Sequence, residues 1–247
     1  MLKILMPDIM PEFMAIEAKN NHFIKLNIGK LHDVRSMLEN EKHLWMPLLC
    51  ILSAKIIKDV TIKTYQLAEI FHLLSYASQL HWSLPENNKD SKEDMKIDVL
   101  SGDLIYSRIY SNICQYGLQP YLLPFSNLIS AMNESLILRD FSRENDDYEI
   151  RVFASLTESA CYLGGSSASN NQLDLNVLKE FGYHLGILKS VYDKGKNIDE
   201  HYSSWQNCWD RVEEIKTSKR HCFEKILRHM GEEWEIDKPV LIQERVI

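Results

Sequence analysis

Apolar residues recur along this chain with a helical rather than a two-residue period, and Gly and Pro mostly fall between the runs. The pattern predicts helices from about Pro11 to Leu26 and Val34 to Glu41. A more apolar helix follows over Pro47–Lys58, with Pro47 in a first turn that tolerates proline. Thr61 or Thr64 can cap the next, which runs to about Ser83 and is stopped by Pro85. Glu86–Glu93 reads as a charged loop, after which helices are predicted over Asp94–Tyr116, Gln119–Phe141 and Asp146–Gly164. Gly117–Pro120 and Ser142–Asn145 break these, and the Gly164–Ser169 stretch is expected to end the last one. Leu173–Lys194 is a further helix with Gly195 as its stop, and His201–Met230 is expected to be one long amphipathic helix closed by Gly231. Glu232–Ile247 has no clear pattern.

The segments 47–58, 65–80, 97–116 and 121–138 are apolar on most sides, which predicts that they lie inside a bundle rather than on its rim. No repeat of solenoid length is present. The expected architecture is all-α, a single helical domain over residues 1–247.

Composition narrows the function classes. Lys+Arg 28 against Asp+Glu 35 gives a net charge of −7, which argues against nucleic acid as the main partner. The five cysteines form no CxxC pair, and an odd count suggests a reducing, cytoplasmic setting. The apolar start Met1–Met14 is interrupted by Asp8 and Glu12 and lacks a basic lead, so it does not read as an export signal. No apolar run approaches the roughly 20 residues that span a bilayer. A soluble chain is expected.

Four segments, read in order, resemble the trans-prenyl diphosphate synthases. Lys42-His-Leu-Trp-Met-Pro-Leu-Leu is similar to that family's G-K-x-x-R-P segment and the apolar helix behind it. Ser75-Tyr-Ala-Ser-Gln-Leu-His81 is similar to the helix leading into the first aspartate-rich motif. Val99-Leu-Ser-Gly-Asp-Leu-Ile resembles V-L-x-G-D-x-L. Ala154-Ser-Leu-Thr-Glu-Ser-Ala and Phe181-Gly-Tyr-His-Leu-Gly-Ile resemble the K-T-A-x-L-F and F-G-x-x-L-G-I-x-F-Q helices. The matches span residues 42–194, and their shared order carries more weight than any one of them. The resemblance implies the isoprenoid synthase helical bundle.

In that family the substrate diphosphate is held by Mg²⁺ between two D-D-x-x-D motifs, whose i, i+1, i+4 carboxylates put oxygen ligands on one helix face. Here the first motif should follow His81, but the residues are Trp82-Ser-Leu-Pro-Glu86, leaving Glu86 alone. The second aligns with Asp193-Lys-Gly-Lys-Asn197, leaving Asp193 and adding Lys194 and Lys196. The family's K-T becomes Val152-Phe153, its F-Q becomes Lys189-Ser190, and the arginine before the early proline becomes Met46. Lys42 is what the resemblance still offers as a diphosphate contact. No metal site is expected in this chain; Mg²⁺ is expected in a catalytic partner.

The resemblance therefore implies a non-catalytic small subunit of a heteromeric synthase, inactive alone, that supports isoprenoid chain elongation and product-length control by a catalytic partner. Tyr76, Ala77 and Ser78 stand where the family tunes product length by side-chain bulk, so they are candidates to line an apolar tunnel for the isoprenoid chain. Plain core positions would show the same pattern. The alternatives are a diverged Mg²⁺-dependent prenyltransferase or terpenoid synthase using Glu86, Asp94, Asp98 or Asp193, and an isoprenoid-binding module.

Other features have simpler readings. Asp90, Asp94 and Asp98 repeat at i, i+4, i+8 but favour a helix N-terminus, as do Asp146, Asp147 and Glu149. His201, His221 and His229 are too far apart for one metal, and Cys222 beside His221 lacks a metal-ligand spacing. Asp103 suits a structural carboxylate, and Trp205–Trp209 suits either core or a docking face.

Overall fold

The computed structural model describes residues 13–16, 18, 20–21, 44–82, 92–141, 148–236 and 239. Among them every regular element is helical: α1 (Trp45–Ile57), α2 (Ile62–Trp82), α3 (Lys92–Gln115), α4 (Leu122–Phe141), α5 (Tyr148–Ser166), α6 (Gln172–Asp193), α7 (Tyr202–Glu214) and α8 (His221–Trp234). Short 3₁₀ turns precede α4, α7 and α8. Phe13–Ile16 with Ala18, Asn20 and Asn21 belong to a further helical stretch, and the predicted helix 34–41 lies outside the described residues.

Local chemistry sets the helix ends. Thr61 and Thr64 cap α2 reciprocally, each hydroxyl accepting the other's backbone N–H at 3.2 and 3.3 Å. Asn171 caps α6 by accepting the Leu173 N–H at 3.2 Å. Gly195, at φ +60°, ends α6 as expected. The Lys196 N–H reaches the Val191 carbonyl and the Gly195 N–H reaches that of Tyr192, the two bonds of a Schellman close.

One continuous apolar core runs from Phe13 to Met230. Helix α5 is its centre and packs most extensively on α6 and α1, with α4 and α2 also against it. Every residue of α1 is buried except Lys55 and Ile57, which are partly so.

Three expectations are corrected. The segment His201–Met230 is two helices: Ile215 is buried and the Thr217 hydroxyl donates to the Ile56 carbonyl at 2.9 Å, so the chain turns there to meet the end of α1. Gly231 does not close a helix. It lies inside α8, where a Cβ would stand 3.1 Å from the Trp205 ring, and the helix ends instead at Glu235 (φ +56°), with the Ile236 N–H on the Gly231 carbonyl. Helix α5 ends at Ser166, inside the Gly164–Ser169 stretch as expected, and a Cβ on Gly164 would overlap the Cys50 backbone of α1.

The third concerns α3 and α4, which were expected in the interior. Both expose apolar residues, among them Leu100 (67%), Leu104 (42%), Leu123 (68%), Ile137 (56%) and Leu138 (59%). Period alone does not say whether an apolar surface is covered by the same chain.

Candidate functional site

The end of α2, the start of α1 and the last turn of α6 carry the sequence-predicted positions that the structure describes. Tyr76, Ala77 and Ser78 are all buried. The Tyr76 hydroxyl donates to Asn21 Oδ1 at 3.1 Å, and its ring lies 4.8 Å from the His72 ring. His72 is fully buried, with Asn20 Nδ2 3.2 Å from its Nδ1. Ser78 donates to the Leu74 carbonyl at 2.7 Å and also meets Tyr106 of α3, whose phenol burial pushes up to about 12 against the opposing effect of that hydroxyl. Successive helical residues point about 100° apart. Tyr76 accordingly faces the N-terminal stretch while Ser78 faces α3.

Deeper in α2, Glu69 joins the same elements. Its Oε1 accepts from the Tyr116 hydroxyl at 2.8 Å and from Asn112 Nδ2 at 3.2 Å, and its carbonyl accepts from Asn20 Nδ2 at 3.1 Å. This buried polar network ties the N-terminal stretch, α2 and α3 together where the apolar pattern alone would give only sliding contacts.

At the end of α6, Asp193 forms an ion pair with Lys189 one turn earlier. The two side chains are only 20% and 11% exposed; the open part of Asp193 is its backbone at the helix end. The Lys189 ammonium also stands 5.7 Å from the Trp45 ring of α1 and 5.8 Å from the Tyr192 ring, close enough for cation–π attraction. Lys194 pairs with Glu149 of α5 at 2.6 Å. The Tyr192 hydroxyl donates to Glu233, fastening the same turn to α8.

This donor set does not suit Mg²⁺. A hard divalent ion needs several oxygen ligands converging on one point. Among the described residues no three His, Cys, Asp or Glu side chains gather in that way. Asp193 and Glu149 each face an ammonium instead.

The remaining candidates are scattered or lie elsewhere. Lys42, Glu86 and Asp90 lie outside the described residues, and the side chain of Asp94 is not among those described; Asp98 is half-buried on α3 and Asp103 is exposed there. His201 lies in the 3₁₀ turn before α7, while His221 and His229 both lie on α8, two turns apart. Trp205 and Trp209 are core, 1% and 2% exposed, packed edge-to-face 5.9 Å apart. Lys189 entered the sequence reading only as a replaced residue; its i, i+4 spacing to Asp193 was the available signal. Trp45 could not have been paired with it from sequence.

The F-G-x-x-L-G segment proves to be packing. A Cβ on Gly182 would lie 2.6 Å from the Thr157 carbonyl, and one on Gly186 would lie 2.6 Å from Ala154 Cα, so these glycines let α6 and α5 approach closely. Phe181 stacks on Phe223 of α8 with centroids 4.1 Å apart.

No protein-family model matches the chain, and no curated protein matches it in sequence. Solved structures do. A decaprenyl diphosphate synthase from Rhodobacter capsulatus superposes with a TM-score of 0.78 at 15% identity, covering 94% of this chain and 98% of that one. A geranylgeranyl pyrophosphate synthase from Corynebacterium glutamicum gives 0.76 at 13% identity, covering 93% and 97%. The geranyl diphosphate synthase small subunit from Antirrhinum majus gives 0.63 at 15%, covering 89% and 98%. The expected fold is therefore the observed one: this chain has the all-α fold of the trans-prenyl diphosphate synthases.

Proposed function

We propose that this chain is a single-domain, non-catalytic subunit that pairs, in the cytoplasm, with a catalytic trans-prenyl diphosphate synthase and influences the length of its product. The observation that carries the reading is an exposed apolar seam on a synthase fold. Along α3, Ile97, Leu100, Leu104, Ser107, Ser111 and Cys114 follow the 3–4–3–4–3 spacing of a helix-packing stripe, and all but the half-buried Ser111 are exposed. Leu123, Ser126, Ser130, Asn133 and Ile137 repeat that spacing, all exposed, along α4. Exposed leucines and isoleucines aligned on these two helices, with small polar residues between them, fit a partner helix pair better than water.

Support for a catalytic synthase as that partner comes from the comparisons and from the acidic positions. The similar structures include a small subunit of geranyl diphosphate synthase and a heterotetrameric geranyl pyrophosphate synthase from mint. Asp193 is paired to Lys189, and among the described residues no other carboxylates converge with it. The placement of Tyr76, Ala77 and Ser78 beside a growing isoprenoid chain belongs to the same proposal.

An isopentenyl transfer assay with Mg²⁺ tests it, using the purified chain alone and then mixed with a D-D-x-x-D synthase from the same genome. Activity of the mixture with a product length different from that of the synthase alone is expected. Turnover by the isolated chain, or a mixture indistinguishable from the synthase alone, overturns it.

A further inference from the structure

Asp193 sits in the last turn of α6, where the helix dipole disfavours a carboxylate. Its side chain is four-fifths removed from water, so its charge needs a close counter-charge. The chain supplies one covalently. Lys189 lies one turn back on the same helix face, is itself buried (9% exposed), and is held between the Trp45 and Tyr192 rings with its ammonium on Asp193. A few residues on, Lys194 does the same for Glu149 across the α5–α6 contact. Two carboxylates at this end of the bundle thus meet two ammoniums.

We propose that Lys189 is the resident cation of this site: its ammonium takes the position against Asp193 that a divalent metal would need, and makes this end of the bundle indifferent to metal. The inference deepens the non-catalytic reading and rests on it for the meaning of the site. A lysine is a compact point charge on a long stem. It can reach the carboxylate while its stem stays in apolar surroundings. The two rings add to that preference, because their faces attract a cation in a partly desolvated place. A hydrated Mg²⁺ brought to Asp193 would have to displace this ammonium into apolar packing, for one carboxylate ligand in return.

The test uses the isolated full chain and needs neither partner nor substrate, so its failure is separable from failure of the subunit reading. Urea unfolding of wild type, Lys189→Met, Asp193→Asn and the double variant forms a thermodynamic cycle. Each single variant is expected to raise the unfolding equilibrium constant roughly tenfold or more, and the double variant to raise it less than Lys189→Met does, because removing both partners leaves no unpaired buried charge. Additive effects would overturn the proposal. Manganese electron paramagnetic resonance supplies a second reading, taken on wild type and on Asp193→Asn once its helical circular dichroism matches wild type. No ion bound by wild type is expected, or at most a signal that Asp193→Asn leaves intact; bound Mn²⁺ that is lost in Asp193→Asn would overturn it.

Discussion

The Tyr116 hydroxyl at the end of α3 donates to the Glu69 carboxylate in the middle of α2 at 2.8 Å, inside the core and beside a second donor from Asn112. Buried hydrogen bonds to a charged acceptor are worth more than neutral ones, and an acceptor removed from two buried donors leaves both unpaired. Tyr116→Phe is therefore expected to cost about 1–3 kcal/mol. Glu69→Leu should cost more and Glu69→Gln less, since the amide keeps an acceptor oxygen. Urea denaturation of the three variants ranks them; a Glu69→Leu variant as stable as wild type would show that the network is dispensable.

Two glycines should fail for different reasons. Gly186→Ala drives a methyl into the α5 backbone and is expected to cost about 1–3 kcal/mol, with Gly186→Ser worse. Gly195 has open space around it but a positive φ, so Gly195→Ala should cost about 1–2 kcal/mol from backbone conformation alone. Gly195→Asn should recover part of that loss, because Asn tolerates the left-handed region. Denaturation midpoints for the four variants check both halves.

The exposed seam predicts a separation of stability from assembly. Leu100→Glu with Leu104→Glu removes apolar surface that is in water in the isolated chain, so its Tm should change little. Co-purification with a catalytic synthase from the same genome should be lost. A large fall in Tm of the isolated chain would mean that these leucines serve its own fold rather than an interface.

Thiol chemistry reads out burial directly. Cys50, Cys161, Cys208 and Cys222 are buried while Cys114 is exposed. Burial pushes the Cys161 thiol up to about 12, opposed by the Ser53 hydroxyl, and raises those of Cys50 and Cys208 well above the ordinary range. Since the thiolate is the reactive form, only Cys114 should react promptly with a disulfide reagent in the native state. Cys114→Ser should abolish the fast phase, and all five thiols of wild type should appear in denaturant.

His184 gives a pH signature. Burial lowers its imidazole below the ordinary value; nearby Glu180 opposes this and Arg211 reinforces it. The unfolded chain then takes up the proton more readily than the folded one. The contribution to stability is fully retained above about 6.5, the ordinary imidazole value, and is lost as pH falls from there through the folded-state value. His184→Gln should flatten that part of the stability profile, measured as urea midpoints across the acid range.

Much of the helical layout was legible because helix formation is governed by short-range spacing and end chemistry. The Thr61/Thr64 cap, the Gly195 stop and the helix positions from Trp45 to Asp193 all follow from residues within a few positions of one another. Where a distant contact decides, local pattern misleads. Thr217 breaks the expected long helix by bonding Ile56, 161 residues away, and Gly231 looks like a stop although it makes room for Trp205.

The candidate site divides in the same way. That Glu86 and Asp193 alone stand where the resemblance expects the two acidic motifs is an expectation drawn from residue order. The Lys189–Asp193 pair was within reach of helical spacing, since i, i+4 residues share a face. That Trp45 closes over this lysine, that Glu149 takes Lys194, and that α3 and α4 turn their leucines outward were decided only by tertiary structure. The physical reason is that charge pairing and burial depend on which helices meet in space. A one-dimensional period states which residues share a face, but not what that face touches.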